Sequence, residues 1–205
     1  LIYSLQSREY PTAAIVQLLL DAPDAKALVD QEYSVVVFGE EVCVPKLCSV
    51  LDPLLVCKAI TESVESRQPA DIDQEILLMT PILLDHELDD QKSWAPIFNQ
   101  LHDGIYLGFS ADKTCEEAAE CSLVFFKLLG NEVFATSSSL FKALNLVFPT
   151  QCSAHCKSAA LSFLSRAAEI SPTYSQTILR LLLNFPPKTH PDLDRLVASL
   201  KRTRK

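Results

Sequence analysis

Thr114–Pro149 reads TCEEAAECSLVFFKLLGNEVFATSSSLFKALNLVFP, and Gln151–Pro186 reads QCSAHCKSAALSFLSRAAEISPTYSQTILRLLLNFP. Shifted by 37 positions, the two agree at Cys115/Cys152, Phe126/Phe163, Glu132/Glu169, Thr136/Thr173, Ser138/Ser175, Leu144/Leu181, Leu146/Leu183, Phe148/Phe185 and Pro149/Pro186. Average residue usage gives roughly two such matches. A period of this size suits stacked helical pairs, because each pair must bury its apolar face against the next.

Each segment has its own helical punctuation. Thr114 and Glu117 stand at capping-box spacing, Ala118, Cys121, Phe125 and Leu128 recur at helical steps, and Gly130 is a natural stop. A second helix is expected from Glu132 to Phe148, with Ser137, Leu140, Phe141, Leu144, Val147 and Phe148 inward and Pro149 as its end. The next unit repeats the plan: Cys152, Cys156, Ala159, Ala160, Phe163, Ala167 and Ile170 form a stripe, and Ser171-Pro172 breaks it. Ile178–Phe185 is apolar on most sides, as in an inner helix, and Pro186-Pro187 closes it. A last helix is predicted to start at Pro191-Asp192, with Leu193, Leu196, Val197 and Leu200 as a stripe that caps the final repeat.

The N-terminal half is less regular. Tyr10-Pro11 is read as opening a helix to Leu20, and Pro23-Asp24 as opening a short one through Val29. Tyr33–Phe38 has the β-branched content of a strand, but no partner strand is apparent, so helix is expected there. Pro45 to Ser66 reads as a helix bent or restarted at Pro53, and Asp71–Leu84 as another containing Pro81. Residues 85–113 hold Pro96, Gly104 and Gly108 and are expected to be short helices and loops.

Composition agrees with an all-α chain. Of 205 residues 48% are hydrophobic, and mean hydropathy is +0.16, as two buried helical layers would produce. Only four glycines occur where average usage gives roughly fourteen. That scarcity argues against β-rich and nucleotide-binding α/β folds, which need residues free to enter φ > 0. Net charge is −8, and removing the four cations of the Lys201–Lys205 end leaves −12, which argues against a nucleic-acid surface on the body of the domain. No run approaches 18 apolar residues and no signal pattern opens the chain. The chain starts in mid-pattern at Leu1, and its only methionine is Met79, so it is expected to be a segment of a longer polypeptide. Seven cysteines, 43, 48, 57, 115, 121, 152 and 156, are an odd set, several on apolar helical faces, and are read as reduced buried thiols of an intracellular protein.

Candidate chemistry is sparse. Cys152, His155 and Cys156 carry metal-ligand groups, but their spacing is not that of a zinc knuckle and no second Cys/His pair lies nearby. Any thiol could pair with His86, His102, His155 or His190 as a nucleophile, yet no nucleophile elbow, phosphate loop or paired-histidine motif is present. No catalytic, cofactor or metal residues are therefore assigned. Asp71, Asp73, Glu75, Asp85, Glu87, Asp89 and Asp90 form an acidic stretch without lysine or arginine between Arg67 and Lys92. It reads either as a solvated face or as a docking surface for a basic partner, with Asp85, Glu87, Asp89 and Asp90 as the contact residues. Trp94, Phe98 and Tyr106 are the aromatics to test as a binding anchor, with core packing as the default for all three. Lys201, Arg202, Arg204 and Lys205 read as a solvated helix end, a nuclear import signal or a phosphate contact.

Across Cys115–Phe185 the paired amphipathic helices, proline stops and pitch resemble armadillo/HEAT-type repeats. The resemblance implies one all-α domain of about 9–11 helices in stacked antiparallel hairpins, an α-solenoid. Its parts would be an irregular helical half at 1–112, repeats at 114–149 and 151–186, and a capping helix with a basic end at 190–205. It also implies a non-enzymatic scaffold or adaptor segment that binds another protein, through a basic or helical segment, within a larger complex in the cytoplasm or nucleus. A structural repeat segment with no ligand of its own is the second expectation. A cysteine-dependent enzyme or zinc-binding module is the third.

Overall fold

In a computed structural model the described residues are 12–65, 67–148, 152–186 and 189–202. They form eleven α-helices, linked by short 3-10 turns, and one β-hairpin. Along the chain come α1 (Thr12–Leu20), α2 (Ala25–Asp30), β1 (Tyr33–Val37), β2 (Glu40–Val44), α3 (Leu47–Val50), α4 (Pro53–Val64) and α5 (Asp73–Leu84). Then follow α6 (Gln91–Leu107), α7 (Cys115–Leu129), α8 (Ser137–Val147), α9 (Ala154–Ile170), α10 (Pro172–Leu182) and α11 (Pro191–Arg202).

Local chemistry sets several boundaries. Asp52 accepts from the amides of Leu54 and Leu55, and Pro53 supplies a first helical residue that needs no amide partner. Ser153 and Ser171 cap α9 and α10 by accepting from Cys156 and Tyr174, and Pro172 opens α10. Asp24 accepts from Ala27 at the start of α2.

The helices pack in two rows. One row runs α1, α4, α6, α8 and the other α2, α5, α7, α9, each helix lying against the next in its row. The rows meet where α4 packs on α5, α6 on α7 and α8 on α9. Then α10 lies against α9, and α11 covers α10 and α9 through Leu193 and Leu200. A chain of aromatic rings threads the junction: Trp94 and Phe98 meet Phe125, Phe109 meets Phe163, and Phe163 meets Phe126, which touches Tyr174. Repeat-matched positions touch each other. Phe126 and Phe163 stand 5.1 Å apart and Phe148 and Phe185 6.4 Å apart, both edge-on.

Several expectations are corrected. Tyr33–Phe38 is not helical: Tyr33–Val37 pairs antiparallel with Glu40–Val44, with Tyr33 opposite Val44 and Val37 opposite Glu40. Residues 85–113 are dominated by the 17-residue α6, which contains both Pro96 and Gly104. A proline inside a helix costs about 3 kcal/mol, and the inward faces of Trp94, Ile97, Phe98, Leu101 and Ile105 offset it. Gly104 is required by proximity, because a Cβ there would stand 2.2 Å from Ile72 Cδ1 and 2.8 Å from the Pro69 carbonyl.

The capping box is also replaced. Thr114 is fully buried and donates to the Gly108 carbonyl at 3.1 Å, while Glu117 turns to Lys26. The helix expected over 132–148 begins only at Ser137, after a 3-10 stretch, Gly130–Thr136, entered through Gly130 at φ 59°. The stretch 45–66 restarts at Pro53, one of the two alternatives expected, as α3 and α4. The helix openings and closures assigned to Tyr10-Pro11, Pro149 and Pro187 lie outside the described residues.

Candidate functional site

An acidic cleft of about 310 Å³ crosses the α2–α5–α7 row. Lys26 and Asp30 come from α2, Thr80, Pro81 and Leu84 from α5, Asp85 from its C-cap, and Glu116, Glu117 and Glu120 from α7. The spacing of Lys26 from Asp30, and of Glu116 from Glu120, places each pair on one helical face. Lys26 Nζ lies 2.5 Å from Glu117 Oε1, an ion pair spanning 91 positions of sequence. The hydrogen bond that Lys26 donates to Glu117 raises the Lys26 pKa above its ordinary value against partial desolvation, and the charges of Glu117, Asp30 and Glu116 add to it.

Cations at the margin meet some of the remaining acids. Lys46 bonds Asp30 at 3.0 Å, Arg166 pairs with Glu120, and His155 Nδ1 stands 3.8 Å from Glu116. Among the described residues no cation lies within ion-pair distance of Asp85, Glu87, Asp89 or Asp90. The cleft lining thus holds five carboxylates and one lysine, with Lys46 and Arg166 pairing Asp30 and Glu120 from its margin and the exposed Leu84 on its wall.

The 85–90 loop continues this surface. His86 is held by a 2.9 Å hydrogen bond to the Cys48 carbonyl and Leu88 packs on the core, so Asp85, Glu87 and Asp89 alternate outward. Asp90, at φ 55°, is exposed and accepts from Ser93 Oγ at 2.6 Å. Asp85 thus joins Glu116, Glu117 and Glu120, while Glu87, Asp89 and Asp90 extend the acidic stretch towards α6. Glu75, in contrast, is buried against Arg67.

Trp94, Phe98 and Tyr106 sit elsewhere. Their exposures are 3%, 1% and 1%, and Tyr106 Oη shares a 2.9 Å hydrogen bond with Thr136. Such side chains are core, and a partner could reach them only by opening it. This corrects the anchor reading. Lys201 and Arg202 are exposed on the last turn of α11, and Arg204 and Lys205 lie outside the described residues.

Of the Cys152, His155 and Cys156 group, both cysteines are engaged in hydrogen bonds and His155 lies beside Glu116. Cys156 Sγ donates to Asp112 Oδ1 at 3.4 Å, Ser153 donates to the same carboxylate, and Cys152 Sγ faces the Ser110 and Leu146 carbonyls. The hydrogen bonds from Ser153 and Cys156 hold Asp112 below the usual carboxylate range. Desolvation pushes the Cys115 thiol up to about 12 and raises Cys57, Cys121 and Cys156 as well. Among the described residues no three His, Cys, Asp or Glu side chains converge as a metal site, and no disulfide joins the cysteines. No described helix is long and apolar enough to cross a membrane.

Two features were missed in the sequence. Glu116 and Glu117 carried the signal of a helix start, so their place opposite Asp85 was hidden. The hairpin was hidden because Phe38-Gly39 is not a common hairpin turn. No family model, curated protein or solved structure matches the chain.

Proposed function

We propose that the two rows of helices form an armadillo/HEAT-like α-solenoid segment, and that the chain is a non-enzymatic scaffold or adaptor. Its partner is another protein, engaged through a basic helical segment laid along the α2–α5–α7 row. The acidic cleft carries this reading. Asp30, Asp85, Glu116, Glu117 and Glu120 are drawn from three successive helices of one row, beside the apolar Leu84. Such a field steers a cationic segment into register and disfavours acidic competitors. Leu84 gives that segment an apolar contact. The contacts between Phe126 and Phe163, and between Phe148 and Phe185, support the solenoid, because equivalent positions in stacked repeats meet across the interface.

The test is affinity purification with the chain and with Asp85→Asn/Glu116→Gln/Glu120→Gln, followed by binding of the recovered partner at low and high salt. Loss of a partner with the triple variant, and an affinity for it that falls with salt, is the expected result. An unchanged partner set overturns the cleft as the docking site.

A second reading is favoured by the exposed, repeat-matched Leu146 and Leu183, which would suit stacking within a larger helical protein. Under it the isolated chain self-associates, and Leu146→Gln/Leu183→Gln restores the monomer.

A further inference from the structure

The β-hairpin stands outside the fold's economy. None of its residues belongs to the hydrophobic core or packs against it. In antiparallel pairing, directly opposite side chains share a face. Tyr33, Val35, Val37, Val42 and Val44 therefore make one apolar face, interrupted only by Glu40. Val35 is 46% exposed, and Val36 on the reverse face is 75% exposed. Phe38 and Gly39 both hold positive φ, 53° and 86°, in a two-residue turn. Such a turn favours Asn-Gly, and a bulky residue there is strained. Phe38 nevertheless occupies it with its side chain wholly in solvent.

Two strands without a third, or a covering helix, are marginal in water. Exposed edges are ordinarily blunted by charge or proline. β2 has Glu40 and Glu41, but β1 has no charged residue and no proline from Tyr33 to Val37. Its free edge is a template for another strand.

Charge decides which strand. The edge is bracketed by Glu32 at its start and by Glu40 just past its end. A second copy added antiparallel would bring the base of one hairpin, with Glu32 beside the Lys46–Asp30 pair, to the tip of the other, with Glu40 and Glu41, twice over by symmetry. A parallel copy would set Glu32 beside Glu32. Both arrangements meet like charge on a chain of net charge −8. An anionic lipid surface meets the same repulsion at the tip.

We propose that β1 docks an extended segment of a partner protein by strand addition, and that this segment alternates apolar residues and carries lysine or arginine at its ends. Main-chain hydrogen bonds hold it, alternate apolar side chains cover Tyr33, Val35 and Val37, and the cationic ends lie towards Glu32 at the base and the acidic tip formed by Glu40 and Glu41. This surface uses residues other than the acidic cleft, so either can fail without the other.

The test titrates the full chain into a labelled, end-capped peptide, Lys-Val-Thr-Val-Thr-Val-Lys, followed by fluorescence anisotropy. Two controls run beside it: the same peptide with glutamate ends, and one N-methylated on the amides that face β1. The lysine-ended peptide is expected to bind at least about fivefold more tightly than the glutamate-ended one, from two exposed charge pairs, and the N-methylated peptide not at all. Val36→Lys places a blunting cation on the edge, with Glu41 opposite to pair it, and is expected to weaken binding at least tenfold with an unchanged circular dichroism spectrum. Equal binding of all three peptides, or none up to 1 mM, overturns the proposal. So does a sedimentation dimer dispersed by Val36→Lys, which identifies a second copy, or vesicle binding lost with Phe38→Ser, which identifies a lipid surface.

Discussion

Phe126 on α7 and Phe163 on α9 meet edge to face, with ring centroids 5.1 Å apart and planes at 83°. They are matched positions when the sequence is laid over itself at an offset of 37, and both are almost fully buried. Two residues matched in sequence are here in contact, where α7 packs on α9. Truncating either ring to alanine is expected to cost about 3–5 kcal/mol. The pair should show a coupling of about 0.5–1.5 kcal/mol. Urea unfolding of wild type, F126A, F163A and the double variant measures both, and additive effects would contradict a direct contact between the two rings.

Gly104→Ala is expected to destabilise the chain by about 1–3 kcal/mol, as overpacking does, through clashes with Ile72 and the Pro69 carbonyl. Adding Ile72→Ala removes the side-chain clash but leaves the carbonyl at 2.8 Å, so it does not return G104A to the stability of I72A alone. Thermal and urea midpoints of the two singles and the double decide this, and a neutral G104A contradicts the close approach of α6 to Pro69.

Thr114 distinguishes the buried hydrogen bond from the expected cap. Thr114→Val keeps its shape but removes the donor to the Gly108 carbonyl, at an expected cost of about 1–2 kcal/mol. Thr114→Ser is expected to recover most of it. If Glu117→Gln costs as much as T114V with Lys26 already replaced by methionine, the capping box exists after all.

The Lys26–Glu117 pair has a defined pH window. The folded-state pKa of Lys26 is raised, so its contribution is complete below pH 10.5 and is lost as pH climbs through the raised value. The lysine is half-exposed, so Lys26→Met is expected to cost under about 1 kcal/mol. The melting difference between wild type and K26M should hold steady from pH 7 to 10 and shrink above it. A difference that grows in alkali would reverse the assignment.

Thiol reactivity should follow burial. Cys43 on β2 is exposed, whereas Cys57, Cys115 and Cys121 are fully buried with raised pKa values. Pulsed alkylation at pH 8, read by mass spectrometry, is expected to label Cys43 first and those three only on unfolding. Early labelling of Cys115 would contradict the packing of α7 on α9.

Helical stripes were readable because they are short-range patterns: Cys156, Ala159, Ala160, Phe163 and Ala167 line the buried side of α9. Pro96 and Gly104 misled for the opposite reason. Each is a breaker by local propensity, and each is tolerated in α6 by what lies outside it. β1 failed as a strand for want of a visible partner, since β2 is half acidic and the turn between them is unusual. The acidic stretch was legible at Asp85, Glu87, Asp89 and Asp90, but its neighbours on α7 were concealed by a plausible local role.

Residue order alone determined the predominance of helix and the apolar side of helices such as α9, because those depend on spacings of three and four residues. Only the assembled chain decided that Glu117 faces Lys26, that Trp94 is core and that Tyr33–Val37 lies open. Those outcomes depend on which distant surfaces come within a few ångströms, and no local spacing encodes that.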